Sequence, residues 1–428
     1  MATARDRLEA LLSRIDEPRA ARVFTTVYAD AARGAADAAD ARRRAGISLG
    51  PLDGALVSIK DLFDVAGETT RAGSNILRDA APAVIDAPVV QRLRRAGAVI
   101  FAKTAMVEFA FSGLGLNPHD GTPGNAVDET RVPGGSSSGA GVAAALGFGD
   151  IAIGTDTGGS VRIPAAFNGV VGFKPTAQRV PRDGAFPLSY TLDSIGPLAK
   201  TVRQCAEADT VMAGEEPLPL APAPLAGLRI GVPRGAMFED TDAVVGDAFE
   251  RALDALARAG ARIAALGIDD LLAAMRDATA AGSIAAIEAA AVHAEWLHTR
   301  AADFDPRVHV RIARAASVPA ADYVRMLRRR HELVAAMDAR LTDVDVLAIA
   351  AVAIVPPRID AVLHDDDAYG RTNMLVLRNT MLGNFFDLAG VSLPIAGTPL
   401  PVGMMLLARN GHDRRLLAIA AGAEAHLR

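Results

Sequence analysis

A layered α/β sheet with helices on both faces is the fold class this chain predicts. Apolar runs of strand length alternate with amphipathic runs of helix length, the runs are closed by Gly, Pro or Asp, and hydrophobic residues make up 50% of the chain. Strands are expected over Ala55 to Ile59, Ala98 to Ala102, Ile151 to Gly154, Val170 to Phe173, Leu228 to Val232 and Val344 to Ile354. Helical spacing marks Ala87 to Arg95, Gly139 to Leu146, Thr241 to Ala259 and Asp413 to Leu427. From about residue 240 to 341 the composition shifts to alanine and arginine with helical periodicity, which predicts a helical subregion resting on the sheet. Pro217 to Pro224, rich in proline, is the best candidate for a linker. At 428 residues the expectation is one large domain, 1–428, with 240–341 as a helical part of it.

Composition excludes several classes of function. A formal net charge of −5, scattered Arg and Lys, and an aromatic content of 4% argue against a nucleic-acid groove. One cysteine, Cys205, allows no internal disulfide and no thiolate cluster for a metal, and points to a reducing cytosol. The first residues mix both charge signs and form no secretory signal. The apolar run Val346 to Val355 ends at Pro356-Pro357, about half the length a bilayer needs, and is read as a buried strand. No membrane contact is expected, and a homodimer is the default expectation for assembly.

Two glycine-rich segments hold serines in a pattern that chemistry can use: Gly134-Gly135-Ser136-Ser137-Ser138-Gly139 and Gly154-Thr155-Asp156-Thr157-Gly158-Gly159-Ser160. Cleaving an amide takes a nucleophile, a base, donors for the tetrahedral oxyanion and an acid for the leaving amine. Ser160 follows a strand and a Thr-Gly-Gly turn whose N–H groups can converge above it. Lys60, at the end of the apolar run Leu56-Val57-Ser58-Ile59, is placed for burial, which lowers an amine's proton affinity and makes it a base. The eight histidines all lie outside these segments. Ser136 can relay a proton between Ser160 and Lys60, and its small-residue run is expected to be ordered, capping the helix that follows, rather than a flexible linker.

The same residues fit other patterns less well. Gly135 to Gly139 fits G-x-S-x-G, with Ser137 as nucleophile, but no strand precedes it. Gly139 to Ala144 fits G-x-G-x-x-A, for which close helix packing is the better account, and no lysine follows the glycines as a phosphate loop requires. His364-Asp365-Asp366-Asp367 has metal-ligand side chains but reads as a solvated loop, so no metal is assigned. Phe111, Phe186, Tyr190 and Trp296 are pocket walls or simple packing.

These segments resemble the amidase signature family of serine hydrolases. The likeness runs through Val57-Ser58-Ile59-Lys60-Asp61, Arg131 to Gly139, Gly154 to Arg162, Gly169 to Thr176 and Leu192 to Pro197, and returns at Arg378-Asn379-Thr380, Asn384, Pro394 and Leu400 to Gly403. It implies a mixed β-sheet sandwiched between helices, and an amidase acting on a small amide without metal or organic cofactor. It also implies Ser160 as the acylated nucleophile, Ser136 as the bridging serine after a cis peptide bond, and Lys60 as the neutral base. Thr157, Gly158, Gly159 and Ser160 would supply the oxyanion N–H groups, with Ser137 a neighbour hydrogen-bonding Lys60 and with Asp156 and Arg162 in support. Arg162 has two readings: a ligand for a substrate carboxylate, or a brace for the loop through Asp156. Within the family the competing identity is the glutaminase subunit of a tRNA-dependent amidotransferase, whose tyrosine-rich segment is reduced here to Tyr369 in Asp367 to Asn373. A non-catalytic binding module would not need the lysine and both serines.

Overall fold

The computed structural model describes residues 2–428. Eleven strands form one mixed sheet: β1 (Phe24–Val27), β2 (Leu56–Lys60), β3 (Val99–Thr104), β4 (Ile151–Asp156), β5 (Val171–Lys174), β6 (Ser194–Ala199), β7 (Arg229–Val232), β8 (Arg262–Ala265), β9 (Val346–Ala350), β10 (Ala389–Ile395) and β11 (Val402–Ala408). Their order across the sheet is β1-β3-β2-β4-β6-β5-β10-β11-β9-β7-β8. β3, β2 and β4 run parallel, as do β9, β7 and β8; the strands between them pair antiparallel. The mixed sheet with helices packed against it is the architecture that the resemblance implied.

Both faces of the sheet are covered, and this is why its strands read as unbroken apolar runs. Along β9 and β11, Val346, Ala348, Met404 and Leu406 turn to one hydrophobic core, while Leu347, Ile349, Met405 and Leu407 turn to the other. The predicted strands all form, with shifted ends: β2 continues to Lys60 and β4 to Asp156. β9 is shorter than expected because the chain bends after Ala350, where Asp242 donates its N–H to the Ala353 carbonyl and accepts from Val355 N–H.

β1, β6, β8, β10 and β11 were not among the expected strands. β8 lies within the stretch 240–341 that was expected as a helical subregion, and adds a sheet strand to it. The helix Ala243–Arg258 leads into β8, which pairs parallel to β7 at the sheet edge, and helices follow from Asp269–Ala278 to Ala320–Arg340. Three of the four β8 residues are exposed, so its Arg-Ile-Ala-Ala sequence carries little apolar signal. Pro217 to Pro224 has no regular structure but is tied down, its Ala223 N–H bonding to Ala418 O at 2.8 Å. Among the described residues no helix is long and apolar enough to cross a membrane.

The Gly/Ser run is ordered and buried, and it leads directly into the helix Ser138–Leu146. The glycines of that helix serve close packing. A Cβ at Gly139 would overlap the Val23 carbonyl oxygen, and one at Gly141 would lie 2.8 Å from Pro164 Cβ. Gly139→Ala is therefore expected to push the helix off the strand ends and lower stability by about 3 kcal/mol. Urea unfolding of the variant beside the wild type measures this, and an unchanged midpoint contradicts the packing argument.

Candidate active site

Parallel pairing of β2 with β4 brings their carboxyl ends to the same rim of the sheet, where sites in such sheets form. Lys60 is the last residue of β2 and is fully buried. Its Nζ donates to Ser136 Oγ at 2.8 Å and to Thr155 Oγ1 at 2.8 Å. Burial lowers its pKa to about 7, with the charges of Asp193 and Asp156 acting against the drop. No carboxylate stands within 4 Å of this amine among the described residues.

Ser136 follows a cis peptide bond from Gly135. Its position is fixed by backbone bonds on both sides: Gly135 N–H to Gly113 O at 2.8 Å, and Val107 N–H to Ser136 O at 3.0 Å. Contrary to what the resemblance implied, Ser137 does not bond Lys60, because its hydroxyl turns to Thr155 O at 3.3 Å and Thr155 Oγ1 takes the amine instead; with its N–H on Ser160 O at 3.3 Å, Ser137 clips the two serine segments together. Ser137 is buried away from the cavity, whereas Ser160 lines it.

The turn Thr157 to Ser160 projects from the end of β4. Its four N–H groups donate to no protein group among the described residues. Gly159 holds φ at 139°, a conformation side chains rarely adopt, and a Cβ there would overlap Thr380. Thr380 in turn donates to Gly158 O at 2.6 Å. The Thr157 hydroxyl donates to Asp193, whose other carboxylate oxygen accepts the N–H groups of Leu188 and Ser189 at 3.0 Å each.

Arg162 lies beneath this turn, fully buried, and spends its donors on the protein. Nε and Nη2 bind Asp156 at 3.0 and 2.8 Å, Nη2 also binds Asn384 Oδ1 at 2.6 Å, and Nη1 binds Thr380 O at 2.8 Å and Met405 Sδ at 3.2 Å. The geometry is that of a brace, and it leaves no donor for a substrate carboxylate. Asp156 also accepts from Val161 N–H at 3.1 Å and Asn384 Nδ2 at 2.9 Å. Burial alone would raise the Asp156 pKa, but Arg162, with Lys174 and Asn384, holds it at about 2. Lys174 is itself buried, and that burial, with Arg162's charge, lowers its pKa to about 8.

A cavity of about 340 Å³ opens over Ser160, Thr157 and Gly158. Its far walls come from Phe111, Leu188, Leu192, the Gly282 to Ala286 segment and the helix Asp366–Phe385. Phe111 faces this cavity; Phe186 and Trp296 instead stack with Phe109 and His293, and Tyr190 is exposed. The His364 to Asp367 segment is not a loop in solvent alone: Asp365 caps the helix Asp366–Phe385 by accepting from Ala368 N–H, and Asp366 pairs with Arg307 at 2.7 Å. Thr155, Asp193, Thr380 and Asn384 were absent from the sequence-derived site. Thr155 lies inside the quoted serine segment, and Asp193, Thr380 and Asn384 lie in segments that carry the resemblance, but what they contact is set by the fold.

A sequence model of the family Amidase matches residues 6–417. The chain is 39% identical to the 2-amino-5-chloromuconic acid deaminase of Comamonas testosteroni over 402 residues, covering 92% of this chain and 86% of that one. It is 34% identical to a glutamyl-tRNA(Gln) amidotransferase subunit of Roseiflexus sp. (strain RS-1), covering 96% of this chain and 90% of that one. A crystal structure of an amidase superposes with a TM-score of 0.88 at 32% identity, covering 100% of this chain and 97% of the other.

Arg162→Met would leave Asp156 buried without its counter-ion, and a loss of about 3 kcal/mol or more at neutral pH is expected. The wild type's contribution from Asp156, whose pKa is depressed on folding, is present above the ordinary carboxylate range and lost as pH falls through about 2. The gap between the two proteins should therefore narrow as pH falls, which denaturant unfolding at several pH values measures. With the family match spanning nearly the whole chain and the solved amidase sharing its fold throughout, the protein belongs to the amidase signature family and is an enzyme that hydrolyses carboxylic amide C–N bonds.

Proposed function

We propose that Ser160 is acylated by a small amide, with Ser136 as the bridging serine and Lys60 as the base. The observation that carries this reading is the 2.8 Å bond from the buried Lys60 amine to Ser136 Oγ. As Ser160 Oγ attacks the carbonyl carbon, its proton passes to Ser136, whose own proton passes to the Lys60 amine. The carbonyl oxygen becomes the oxyanion held by the free N–H groups of Thr157, Gly158, Gly159 and Ser160. Breaking the C–N bond returns the stored proton to the leaving nitrogen, and water releases the acid by the same relay. Ser137, Asp156 and Arg162 support the turn. One domain spanning the chain, with 240–341 its mostly helical part, and a reducing cytosol follow from the same reading.

Ser160→Ala is expected to abolish amide turnover, and Lys60→Ala to reduce it at least about a hundredfold near neutral pH. Because Lys60 works only when neutral, kcat/KM should rise with pH through about 7 and fall about tenfold per unit below it. Normal turnover by purified Ser160→Ala refutes the assignment.

We further propose that the substrate carries a carboxylate. Arg311 and Arg314 line the cavity, and among the described residues neither forms an ion pair and no Asp or Glu lines it. Arg311 donates only to the carbonyls of Arg307 and Phe111, its guanidinium lying 4.3 Å over the Phe111 ring. A cation left without a counter-ion in a largely apolar cavity favours an anionic group on the ligand. The likeness to a relative named for an acid substrate supports this. Arg311→Met should raise KM for a carboxylate-bearing amide at least about tenfold and leave that for its neutral analogue unchanged. Equal effects on both would remove the idea.

A component of a tRNA-dependent amidotransferase is the second reading, favoured by the likeness to that protein over almost the whole chain. Turnover of free amides by the isolated chain supports the stand-alone enzyme; glutaminase activity that appears only with partner subunits supports the other.

A further inference from the structure

Glu288 is a buried carboxylate with no contact to a cation, and every one of its bonds is to a neutral donor. It lies on the helix Ile284–Val292, whose first turn lines the cavity. One oxygen accepts the Ser189 hydroxyl and the Thr191 N–H, the latter at 3.1 Å; the other accepts the hydroxyls of Thr191 and Tyr323, the latter at 2.5 Å. Three of these four donors belong to the short loop 188–193. The same loop carries Leu188 and Leu192, which line the cavity, and Asp193, which takes the Thr157 hydroxyl.

We propose that Glu288 is a positioning residue: by fixing Ser189 and Thr191 it keeps Asp193 in register with Thr157. The seating of the cavity wall and the alignment of the reacting turn are then one event. The inference rests on the roles proposed above for Ser160 and Lys60. The chain of contacts is continuous, from Glu288 to Ser189, from Ser189 N–H to Asp193, and from Asp193 to Thr157 beside the nucleophile. Charge accompanies it. Of the carboxylates acting on Lys60, Asp193 acts most strongly and Asp156 next. Around Asp193 the cation is Arg182, which donates to Asp193 O at 3.2 Å; near Glu288 it is Arg330 on the helix Ala320–Arg340. Releasing the loop would let Asp193 move away from Lys60, and an amine that loses a neighbouring carboxylate gives up its proton more readily.

The test is the rate at which phenylmethylsulfonyl fluoride labels Ser160, followed by intact mass as a function of pH. In Glu288→Gln, labelling at pH 8 is expected to slow about tenfold. The midpoint of its pH dependence should move to lower pH by about half a unit. Tyr323→Phe, which removes the one donor outside the loop, should leave the midpoint in place. In a Ser189→Ala/Thr191→Val background, Glu288→Gln should add less shift than it does in the wild type, because the two changes share both hydroxyl contacts and only the Thr191 N–H bond is left to lose. A Glu288→Gln protein that melts earlier yet labels at the wild-type rate and midpoint overturns the proposal and makes Glu288 a brace of the wall only. Should Glu288→Gln fail to fold, the Ser189→Ala/Thr191→Val variant reads the same two quantities with the carboxylate in place, and wild-type values there overturn it equally. Absence of labelling in the wild type at every pH overturns the role of Ser160 itself, a result distinct from labelling that Glu288→Gln leaves unaltered.

Discussion

Lys60 carries its amine into a buried space between the end of β4 and the Gly/Ser run, where its bonded partners are two hydroxyls and, among the described residues, no carboxylate is in contact. In water an ammonium would be the stable form; here its lost hydration outweighs the pull of the more distant Asp193 and Asp156. The balance needs both parts. A carboxylate in direct contact would hold the proton on nitrogen, and complete isolation from carboxylates would lower its proton affinity further. The parallel run of β2 beside β4 sets those separations, because it places Lys60 and Thr155 at one rim and the serine turn immediately beyond them.

A second buried centre keeps that turn in shape. Asp156 and Arg162, six residues apart, form an ion pair with no exposure to solvent, closed on the remaining sides by Thr380 and Asn384. The pair joins the end of β4 to the long helix Asp366–Phe385. Such a pair adds little net stability relative to apolar packing, yet it is directional, and its hydrogen bonds fix where the turn can lie. Gly159 completes the arrangement by letting the backbone pass where a side chain would meet Thr380.

Much of this was legible in the residues because the groups proposed to react sit in short, local patterns. Lys60 at the end of an apolar run, and serines among glycines after a strand, can be read without knowing what packs on them. The expected helices at Gly139 to Leu146 and Asp413 to Leu427 also formed, for the same reason of local periodicity. What could not be read depends on partners far along the chain. The sequence favours Arg162 as a brace through Asp156 over a substrate ligand, and its brace role holds; but the further partners that close it in, Thr380 and Asn384, stand more than two hundred positions later and could not be named from the segment itself. β6 carries glycine and proline among its apolar residues, so it lacks the pattern of a strand although all its residues are buried. β8 fails for the opposite reason, being an edge strand with little buried surface.

The cavity joins two parts of the chain with different demands. Its floor, from Thr157 to Ser160, is immobilised by overlapping backbone, ion-pair and glycine constraints, so almost any replacement there disturbs several neighbours. Its outer wall, along Met275 to Ala286 and Arg311 to Ala315, is built from helix ends and the turn between the helices Asp269–Ala278 and Ile284–Val292, without the buried ion pair that ties down the floor. Exchange of wall residues can thus change which molecules are accommodated while the floor stays as it is. A scaffold divided in this way lends itself to diversification, since new specificities need not renegotiate the chemistry.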